Sequence, residues 1–177
     1  MNKTTQRAAL IAARSAVCAQ QRKLWDKQIA DQIMAWCKSH DIKSAGMYSP
    51  IQAEPCLHEI FPKLTSMGVR LALPSAPVKD KGLVFSLWKP GDELMKDRFG
   101  VLVPLENAPV IQPEVLFIPC VGFTEQGFRL GYGGGFYDRT LAVQPRPQAI
   151  GIAYRISMCE LEVASHDIAM DSMITDY

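Results

Sequence analysis

The spacing of apolar residues in the first part of the chain predicts helices. Two helices are predicted between about residues 4 and 39, and a third is predicted over 56–68, ending at Gly68. In the second helix, apolar side chains recur at roughly the period of one helix face, at Trp25, Ile29, Ile33, Trp36 and Cys37. The pattern therefore places helices ahead of the first strand.

Apolar runs further along the chain predict strands. The run VLFIPCVGF, at 115–123, is almost wholly apolar, which is typical of a strand covered on both faces. LPSAPVKDKG (73–82) is predicted to be a flexible loop, and the tail HDIAMDSMIT (166–175) is predicted to be extended. The other predicted strands are SAGMYSP, VRLALP, LVFSLW and QAIGIAY, at 44–50, 69–74, 83–88 and 148–154. Because strands alternate with helices, we expect an α/β fold with a largely parallel sheet.

Composition narrows the class of protein. With 177 residues, 48% hydrophobic and 21% charged, the chain is predicted to form one globular domain over 1–177 without disulfides. A net charge of +1 gives no general basic field for nucleic acid, and no apolar run is long enough to span a bilayer. Five cysteines without a CxxC pair are typical of a reducing compartment and indicate no zinc site. We expect a cytoplasmic monomer or weak dimer without nucleic-acid or membrane partners.

One stretch carries candidate chemistry: RLGYGGGFYDR, residues 129–139, with four glycines in five positions. It follows a strand and a turn and opens a helix, and ligands of open α/β sheets lie beyond the carboxyl ends of strands. Glycine amides can turn toward phosphate oxygens. The planar guanidinium of Arg129 could donate paired hydrogen bonds to a phosphate, and Asp138 could be a Mg²⁺ ligand. The alternative is a tight crossover with Tyr132, Phe136 and Tyr137 as core rings. GxxxxGK[ST] does not occur and Phe136 replaces the third glycine of GxGxxG, so neither fingerprint applies.

The same stretch resembles the signature of a known family. RLGYGGGFYDR, preceded by IPCVGFTEQG, is similar to the signature of the 5-formyltetrahydrofolate cyclo-ligases, or 5,10-methenyltetrahydrofolate synthetases. Similar pieces follow in the same order along nearly the whole chain: Lys3 and Arg7, YSPIQAEP, LALP, FGVLVP, GIAY and HDIAMDSMIT. The resemblance implies a three-layer α/β/α fold with a Rossmann-like, largely parallel sheet and N-terminal helices. It also implies an ATP- and Mg²⁺-dependent enzyme that converts 5-formyltetrahydrofolate to 5,10-methenyltetrahydrofolate and releases ADP and phosphate.

The resemblance further implies roles for individual residues. It assigns catalysis to Arg129 and Tyr132, and Mg²⁺ binding to Asp138 and Asp171. It assigns ATP binding to Lys3, Arg7, Arg129, Leu130, Gly131, Tyr132, Gly133, Gly134, Gly135, Phe136 and Tyr137. It assigns binding of the folate to Ser49, Glu54, Tyr132, Gly133, Gly134, Gly135 and Phe136.

From the residues alone, several of these positions have a structural alternative. Lys3 and Arg7 are four residues apart and also suit a solvated helix face. Glu54 also suits a surface position near a helix start, and Asp171 also suits a turn. The His-Asp dipeptide at 166–167 is interpreted as structural, because adjacent side chains rarely face each other.

The chain departs from the family pattern at positions that leave the glycine stretch intact. These are Val103, Cys120, Thr124, Arg155 and Ile156, and we expect any consequence to concern fine substrate contacts more than phosphate chemistry. The alternative function is a non-catalytic folate- or nucleotide-binding relative, and a third is another ATP-dependent enzyme with a related site. Retention of Arg129, Asp138 and Asp171 favours the enzyme, because a pure binder need not keep a metal site.

The implied reaction defines what such a site must do. The N5-formyl carbonyl is a poor electrophile and its oxygen a poor leaving group, and phosphorylation of that oxygen solves both problems. N10 can then attack the formyl carbon and close a five-membered ring as phosphate departs. Positioning and electrostatics dominate phosphoryl transfer, so amides, an arginine and a metal are required, whereas a nucleophilic Ser or Cys is not.

Overall fold

The computed structural model describes residues 2–76, 78, 80–165 and 167–177, which form eleven strands and four α-helices. The strands are β1 (Ser44–Gly46), β2 (Arg70–Ser75), β3 (Val84–Leu87), β4 (Leu94–Lys96), β5 (Leu102–Pro104), β6 (Val110–Ile111), β7 (Val115–Pro119), β8 (Gly122–Phe123), β9 (Arg129–Leu130), β10 (Gln148–Ile152) and β11 (Ser172–Ile174). The helices are α1 (Lys3–Ala16), α2 (Ala19–His40), α3 (Phe61–Ser66) and α4 (Phe136–Leu141), with 3₁₀ turns at His58–Ile60 and Arg155–Ser157.

Seven strands form one mixed sheet in the order β11-β10-β7-β1-β2-β3-β6. The first five run parallel, and β3 and β6 extend the sheet in antiparallel pairing. Two small antiparallel ribbons, β4–β5 and β8–β9, stand apart from it. The predicted α/β fold with a largely parallel sheet is confirmed.

Strand β7 is covered on both faces, as its apolar run predicts. Phe117 belongs to the core cluster that contains Ile33 of α2. Its neighbour Leu116 belongs to the cluster that contains Leu141 of α4. Because successive side chains of a strand point to opposite faces, helices α2 and α4 pack on opposite sides of the sheet.

The predicted strand over 115–123 is wrong in its length, because the chain changes pairing partner after Pro119. The NH of Cys120 still donates to the carbonyl of Ile152 in β10, over 2.9 Å. The next NH, of Val121, donates instead to Leu130 of β9, over 2.8 Å. The run is therefore two strands of different sheets, β7 and β8.

Two other boundaries also differ from the prediction. The helix expected over 56–68 is shorter, because α3 begins at Phe61 and Pro62 occupies its first turn. The loop expected over 73–82 begins later, because β2 extends through Ser75, and residues 77 and 79 lie outside the described part of the chain. The tail is extended, with β11 pairing in parallel with β10.

Helices α1 and α2 begin the chain as predicted. Asn2 caps α1, and its side chain accepts a hydrogen bond from the NH of Thr5 over 2.8 Å. Helix α2 buries Ile29, Ile33 and Cys37 against the sheet. Among the described residues, no helix is long and apolar enough to cross a membrane.

Candidate functional site

A cavity of about 740 Å³ lies at the carboxyl ends of the parallel strands. Tyr48 and Ser49 follow β1, Ser75 ends β2 and Pro119 ends β7, and all four line the cavity. Helix α1, the connection between β4 and β5 and the stretch from β9 to α4 also contribute to the lining. The cavity therefore occupies the place where open α/β sheets bind ligands, and its volume suits small molecules.

The residues predicted to bind ATP and folate meet in this cavity. They are Lys3, Arg7, Ser49, Glu54, Arg129, Leu130, Gly131, Tyr132, Gly133, Gly134, Gly135, Phe136 and Tyr137. Asp138, one of the two predicted metal ligands, lines it as well. For Lys3 and Arg7 this location favours ligand binding over a purely solvated helix face.

The glycine segment, Gly131–Gly135, is held by its carbonyl groups. Arg7 of α1 donates to the carbonyl of Gly131 over 2.6 Å, and Arg139 of α4 donates to that of Gly134 over 2.6 Å. Within the described part of the chain, the five NH groups of the segment donate no hydrogen bond. The segment is therefore fixed from its carbonyl side while its amides stay available to an anion.

The glycines of this segment are required for different reasons. Gly133 and Gly135 have φ angles of 93° and 63°, in the left-handed region that favours glycine. A Cβ on Gly134 would lie 2.7 Å from the ring of Phe136, so packing excludes a side chain there. A Cβ on Gly131 would meet nothing within 4 Å. Backbone strain and packing thus explain three of the glycines, and the space beside Gly131 is left open.

Arg129 and Asp138 form an ion pair at the cavity. The Nη2 of Arg129 donates to Oδ1 of Asp138 over 2.8 Å, and Nη1 donates to the carbonyl of Ile168 over 3.2 Å. The side chain of Arg129 is 5% exposed and that of Asp138 is 26% exposed. The guanidinium also lies over the ring of Tyr137, which packs against the core on the α4 side. Arg129 is thus oriented by protein groups, and the core alternative holds in part for Tyr137.

Glu54 lies in a buried network that connects three segments of the chain. Its Oε2 accepts the NH of Ile51 over 2.9 Å, and its Oε1 accepts the Tyr132 hydroxyl over 2.7 Å. The Tyr132 oxygen in turn accepts Nη2 of Arg14 over 2.5 Å. Burial raises the pKa of Glu54, opposed by the Ile51 NH, the Tyr132 hydroxyl and the charge of Arg14. Tyr132 is thus a hydrogen-bonding group of the cavity and not a core ring.

Lys3 pairs with Asp167 across the cavity lining. The Nζ of Lys3 lies 3.0 Å from Oδ2 of Asp167, and both residues line the cavity. The same oxygen accepts the NH of Ala164 over 2.8 Å. Asp167 was predicted to be only structural, and this contact adds it to the candidate site. His166 lies outside the described residues.

Sequence reasoning missed the β4–β5 ribbon and Arg14. The connection between β4 and β5 contributes Asp97, Phe99 and Val101 to the lining, and Phe99 meets the ring of Phe136 edge-on at 6.0 Å between centroids. Strand signals in this region are short and mixed in polarity, so nothing local predicts that it reaches the cavity. Arg14 shares one face of α1 with Arg7, seven residues apart, and that spacing was a usable signal.

The two predicted metal ligands are not brought together. Asp171 does not line the cavity: its Oδ2 accepts the NH of Ala149 over 2.7 Å, and its Oδ1 accepts Nη1 of Arg146 over 3.0 Å. Among the described residues, no group of three or more His, Cys, Asp or Glu side chains could hold a metal ion. Asp138 remains, a half-buried carboxylate beside the glycine segment. A single carboxylate suits Mg²⁺ that is bound mainly by substrate phosphates and water.

The departures from the family pattern lie outside the cavity lining, at Val103, Cys120, Thr124, Arg155 and Ile156. Burial raises the pKa of Cys120 to about 12, so this thiol stays protonated and is not a nucleophile. All five cysteines are free. Nothing here disturbs the glycine segment or its two arginine contacts.

Comparison with known proteins identifies the family. The family model of the 5-formyltetrahydrofolate cyclo-ligases matches residues 1–176. The chain belongs to the 5-formyltetrahydrofolate cyclo-ligase family. A relative from Escherichia coli (strain K12), named 5-formyltetrahydrofolate cyclo-ligase, is 29% identical over 170 residues, covering 92% of this chain and 93% of the relative. The family and the enzyme class predicted from the sequence are thereby confirmed.

Solved structures support the cyclo-ligase fold. A 5,10-methenyltetrahydrofolate synthetase from Mycoplasma pneumoniae superposes with a TM-score of 0.83 at 23% identity, covering 98% of both chains. The synthetase from Aquifex aeolicus gives a TM-score of 0.84 at 24% identity, covering 99% of this chain and 90% of the other. At this identity the likeness concerns the fold alone.

Proposed function

We propose that this protein converts 5-formyltetrahydrofolate to 5,10-methenyltetrahydrofolate, using ATP and Mg²⁺ and releasing ADP and phosphate. One observation carries the proposal: in a chain of this family, the unpaired amides of the glycine segment lie beside the Arg129–Asp138 pair in one cavity. Anion donors, a guanidinium and a carboxylate are the groups that phosphoryl transfer requires. The five free thiols support a cytoplasmic location.

The phosphates of ATP are assigned to the glycine segment. Arg7 and Arg139 fix the carbonyls of Gly131 and Gly134, so the amides are oriented before a ligand arrives. Preorganised donors stabilise developing charge without the cost of reorganising at the moment of reaction. Arg7 adds positive charge from α1, whereas Lys3 and Arg129 contribute cationic groups that also pair with Asp167 and Asp138.

Mg²⁺ is assigned to Asp138. Bound there, it would neutralise phosphate charge during transfer. Oδ1 of Asp138 is already paired with Arg129, whereas Oδ2 has no hydrogen-bond partner among the described residues. Arg129 orients the carboxylate through one oxygen and leaves the other for a cation.

The folate is assigned to the part of the cavity formed by Ser49, Glu54 and Tyr132. The buried Glu54 carboxylate and the hydroxyl of the more exposed Tyr132 are polar groups that can orient a heterocycle. The hydroxyl of Ser49 donates to the carbonyl of Leu102 over 2.7 Å. This last contact connects the segment after β1 to the β4–β5 ribbon.

The reaction proceeds in two steps. The formyl oxygen attacks the γ-phosphorus, the bond to the β-phosphate oxygen breaks, and ADP leaves. N10 then attacks the formyl carbon, the carbon–oxygen bond breaks, and phosphate departs with that oxygen and its electron pair while N10 loses its proton. Alignment of the two substrates by the cavity is the main catalytic contribution of the protein.

The deciding experiment mixes the protein with 5-formyltetrahydrofolate, ATP and Mg²⁺ and follows the near-ultraviolet methenyl chromophore and ADP together. We expect the two products in equal amounts, and neither when ATP is omitted. Tight binding of 5-formyltetrahydrofolate without ADP would support the non-catalytic relative instead.

An isotope experiment tests the mechanism separately. The formyl oxygen is labelled with heavy oxygen, the reaction is run in ordinary water, and the molecular mass of the released phosphate is determined. We expect the label in phosphate. Unlabelled phosphate would show that ATP is hydrolysed apart from ring closure, which would overturn the mechanism but not the overall conversion.

A further inference from the structure

Arg14 is a buried arginine whose contacts converge beside the cavity. Arg14 is 1% exposed, and it is the residue of α1 that is buried. Its Nε donates to the carbonyl of Gln52 over 2.8 Å, Nη1 to the carbonyl of Cys120 over 3.4 Å, and Nη2 to the Tyr132 hydroxyl. One planar guanidinium thus ties α1 to three other segments, which a point charge cannot do with the same geometry.

The turn that Arg14 contacts has an unfavourable backbone. Gln52 and Ala53 have φ angles of 46° and 60°, a region that side-chain-bearing residues adopt at a cost. The turn is closed by the NH of Glu54 donating to the carbonyl of Ile51 over 2.9 Å and by the Ile51 NH donating to Glu54 Oε2. The bond from Arg14 to Gln52 holds this turn, and the turn sets the direction of the Glu54 carboxylate.

We propose that Arg14 is a positioning residue that keeps the Glu54 carboxylate ionised and fixed, together with the Tyr132 hydroxyl, for recognition of 5-formyltetrahydrofolate. The inference rests on the proposed function and extends it to a residue that does not line the cavity. Arg14 acts through Tyr132 and Glu54, with its Nη2 3.9 Å from Glu54 Oε1. The competing explanation is that Arg14 only anchors α1.

The charges around Glu54 allow the two explanations to be separated. The ionisable groups that face it are Arg14 from α1, Tyr48 after β1, Cys120 after β7, Tyr132 of the glycine segment and Tyr137 of α4. Burial raises the pKa of each of these tyrosines and of Cys120, so they stay neutral in the acid and neutral range. Within this group only Glu54 titrates there. A raised pKa of Glu54 is opposed by the Ile51 NH, by the Tyr132 hydroxyl and by the charge of Arg14, the one cation of the group.

The experiment compares Arg14→Lys, Arg14→Met and Tyr132→Phe with Ile33→Ala, a core truncation in α2 that does not line the cavity. The pH profile of kcat/KM for 5-formyltetrahydrofolate is measured for each variant. In Arg14→Met we expect kcat/KM to fall at least about tenfold at neutral pH, the equivalent of one hydrogen bond, and the acid limb to move to higher pH. Arg14→Lys should keep the acid limb near its wild-type position and recover only part of the loss. Ile33→Ala should lower Tm without moving the limb.

A second measurement does not depend on catalysis. Carbon-13 NMR of labelled Glu side chains gives the pKa of Glu54 directly, and we expect it to rise in Arg14→Met and in Tyr132→Phe. If Arg14→Met does not fold, Arg14→Lys, Tyr132→Phe and their double variant still decide the question, because we expect their effects on kcat/KM to be less than additive. Additive losses in kcat/KM, together with an unmoved acid limb and an unmoved Glu54 pKa in Tyr132→Phe and Arg14→Met, would overturn the proposal. Wild-type protein that makes no methenyl product would overturn the proposed function instead, and the NMR titration would still test the coupling.

Discussion

Two arginine–carboxylate pairs in this site differ in burial and in geometry. Arg129 and Asp138 are joined directly over 2.8 Å, and the carboxylate keeps 26% of its exposure. Arg14 and Glu54 are 3.9 Å apart, each side chain is 1% exposed, and the Tyr132 hydroxyl lies between them. The first pair lies in the segment that carries the glycines, whereas the second joins parts of the chain that are far apart in sequence.

The difference shows how one site can contain charged groups that take part in the reaction and charged groups that hold the structure in place. Removing one partner of a fully buried pair leaves an uncompensated charge and costs about 3–5 kcal/mol. Asp138 is partly exposed and can be solvated when Arg129 is removed, so breaking the pair from that side costs less stability, whereas the Arg129 guanidinium is itself buried. We therefore expect changes at Arg129 and Asp138 to affect turnover, and changes at Glu54 to affect stability as well as binding.

The largest effect is expected from Arg129→Ala. Loss of one preorganised donor to developing negative charge costs about 2.7–4 kcal/mol in barrier in oxyanion-hole sites, and by the same reasoning turnover here should fall roughly a hundredfold or more. Arg129→Lys should recover only part, because an ammonium cannot contact both Asp138 and the Ile168 carbonyl in the planar geometry of arginine. Steady-state kinetics measure the loss, and wild-type turnover in Arg129→Ala would remove Arg129 from the mechanism.

Asp138→Asn should raise the Mg²⁺ concentration needed for half-maximal turnover by at least roughly tenfold. The amide removes the charge but keeps the size of the side chain and an oxygen that can accept from Arg129, so we expect a smaller effect on Tm than on the Mg²⁺ requirement. Asp171→Asn is the matched variant, because Asp171 lies outside the cavity lining. Its Mg²⁺ requirement should stay near wild type, and the opposite ranking in Mg²⁺ titrations would assign the metal to Asp171.

Gly131→Ala should raise the KM for ATP about tenfold with a change in stability below about 0.5 kcal/mol. The added Cβ meets no protein atom within 4 Å, so any loss comes from a ligand approaching that backbone. Gly134→Ala is the contrasting variant, since its Cβ would strike Phe136 and lower Tm. Unchanged ATP kinetics in Gly131→Ala would mean that the phosphates do not approach Gly131.

The smallest expected effect is the loss, in Glu54→Gln, of one pH-dependent component of stability, separate from the pH-independent cost of removing the charge opposite Arg14. Burial raises the pKa of Glu54 above its usual 4.5, so the folded state binds the proton more tightly than the unfolded state does. Wild-type stability should therefore fall as pH rises from about 4.5 through the raised folded pKa, and the glutamine variant should lack this fall. Thermal melts measure it, at about 2–4 °C per kcal/mol for a chain of this length. A Tm difference between the wild type and Glu54→Gln that does not change with pH would show that burial does not raise the pKa of Glu54.

Local patterns were sufficient for the parts of the fold that depend on neighbouring residues. The apolar run of β7, the helical spacing of α2 and the strand–turn–glycine–helix order from β8 to α4 all appear where the sequence predicts them. Each depends on side chains a few positions apart, so the pattern itself carries the information. The resemblance in the glycine stretch named the family for the same reason, because its distinctive residues are contiguous.

The parts that the sequence predicted wrongly or left undetermined depend on contacts between distant segments. The predicted strand over 115–123 divides because Val121 pairs with Leu130 and not with β10. An apolar run indicates a buried strand but does not indicate which strand it pairs with. Asp171 reads like a second carboxylate ligand, yet Arg146 and the Ala149 NH occupy its oxygens. A side chain's role is set by what the fold places beside it.

The sequence by itself determined the class of fold, the family and the segment that forms the glycine-rich wall of the cavity. Only the tertiary structure decided which charges pair, which amides stay unpaired and which residues reach the cavity from α1 and the β4–β5 ribbon. Arg14 illustrates the physical reason. In the sequence it is one more basic residue on an amphipathic helix. Burial makes it a guanidinium that must satisfy its donors within the protein, and it does so on Gln52, Cys120 and Tyr132, three segments brought together by folding alone.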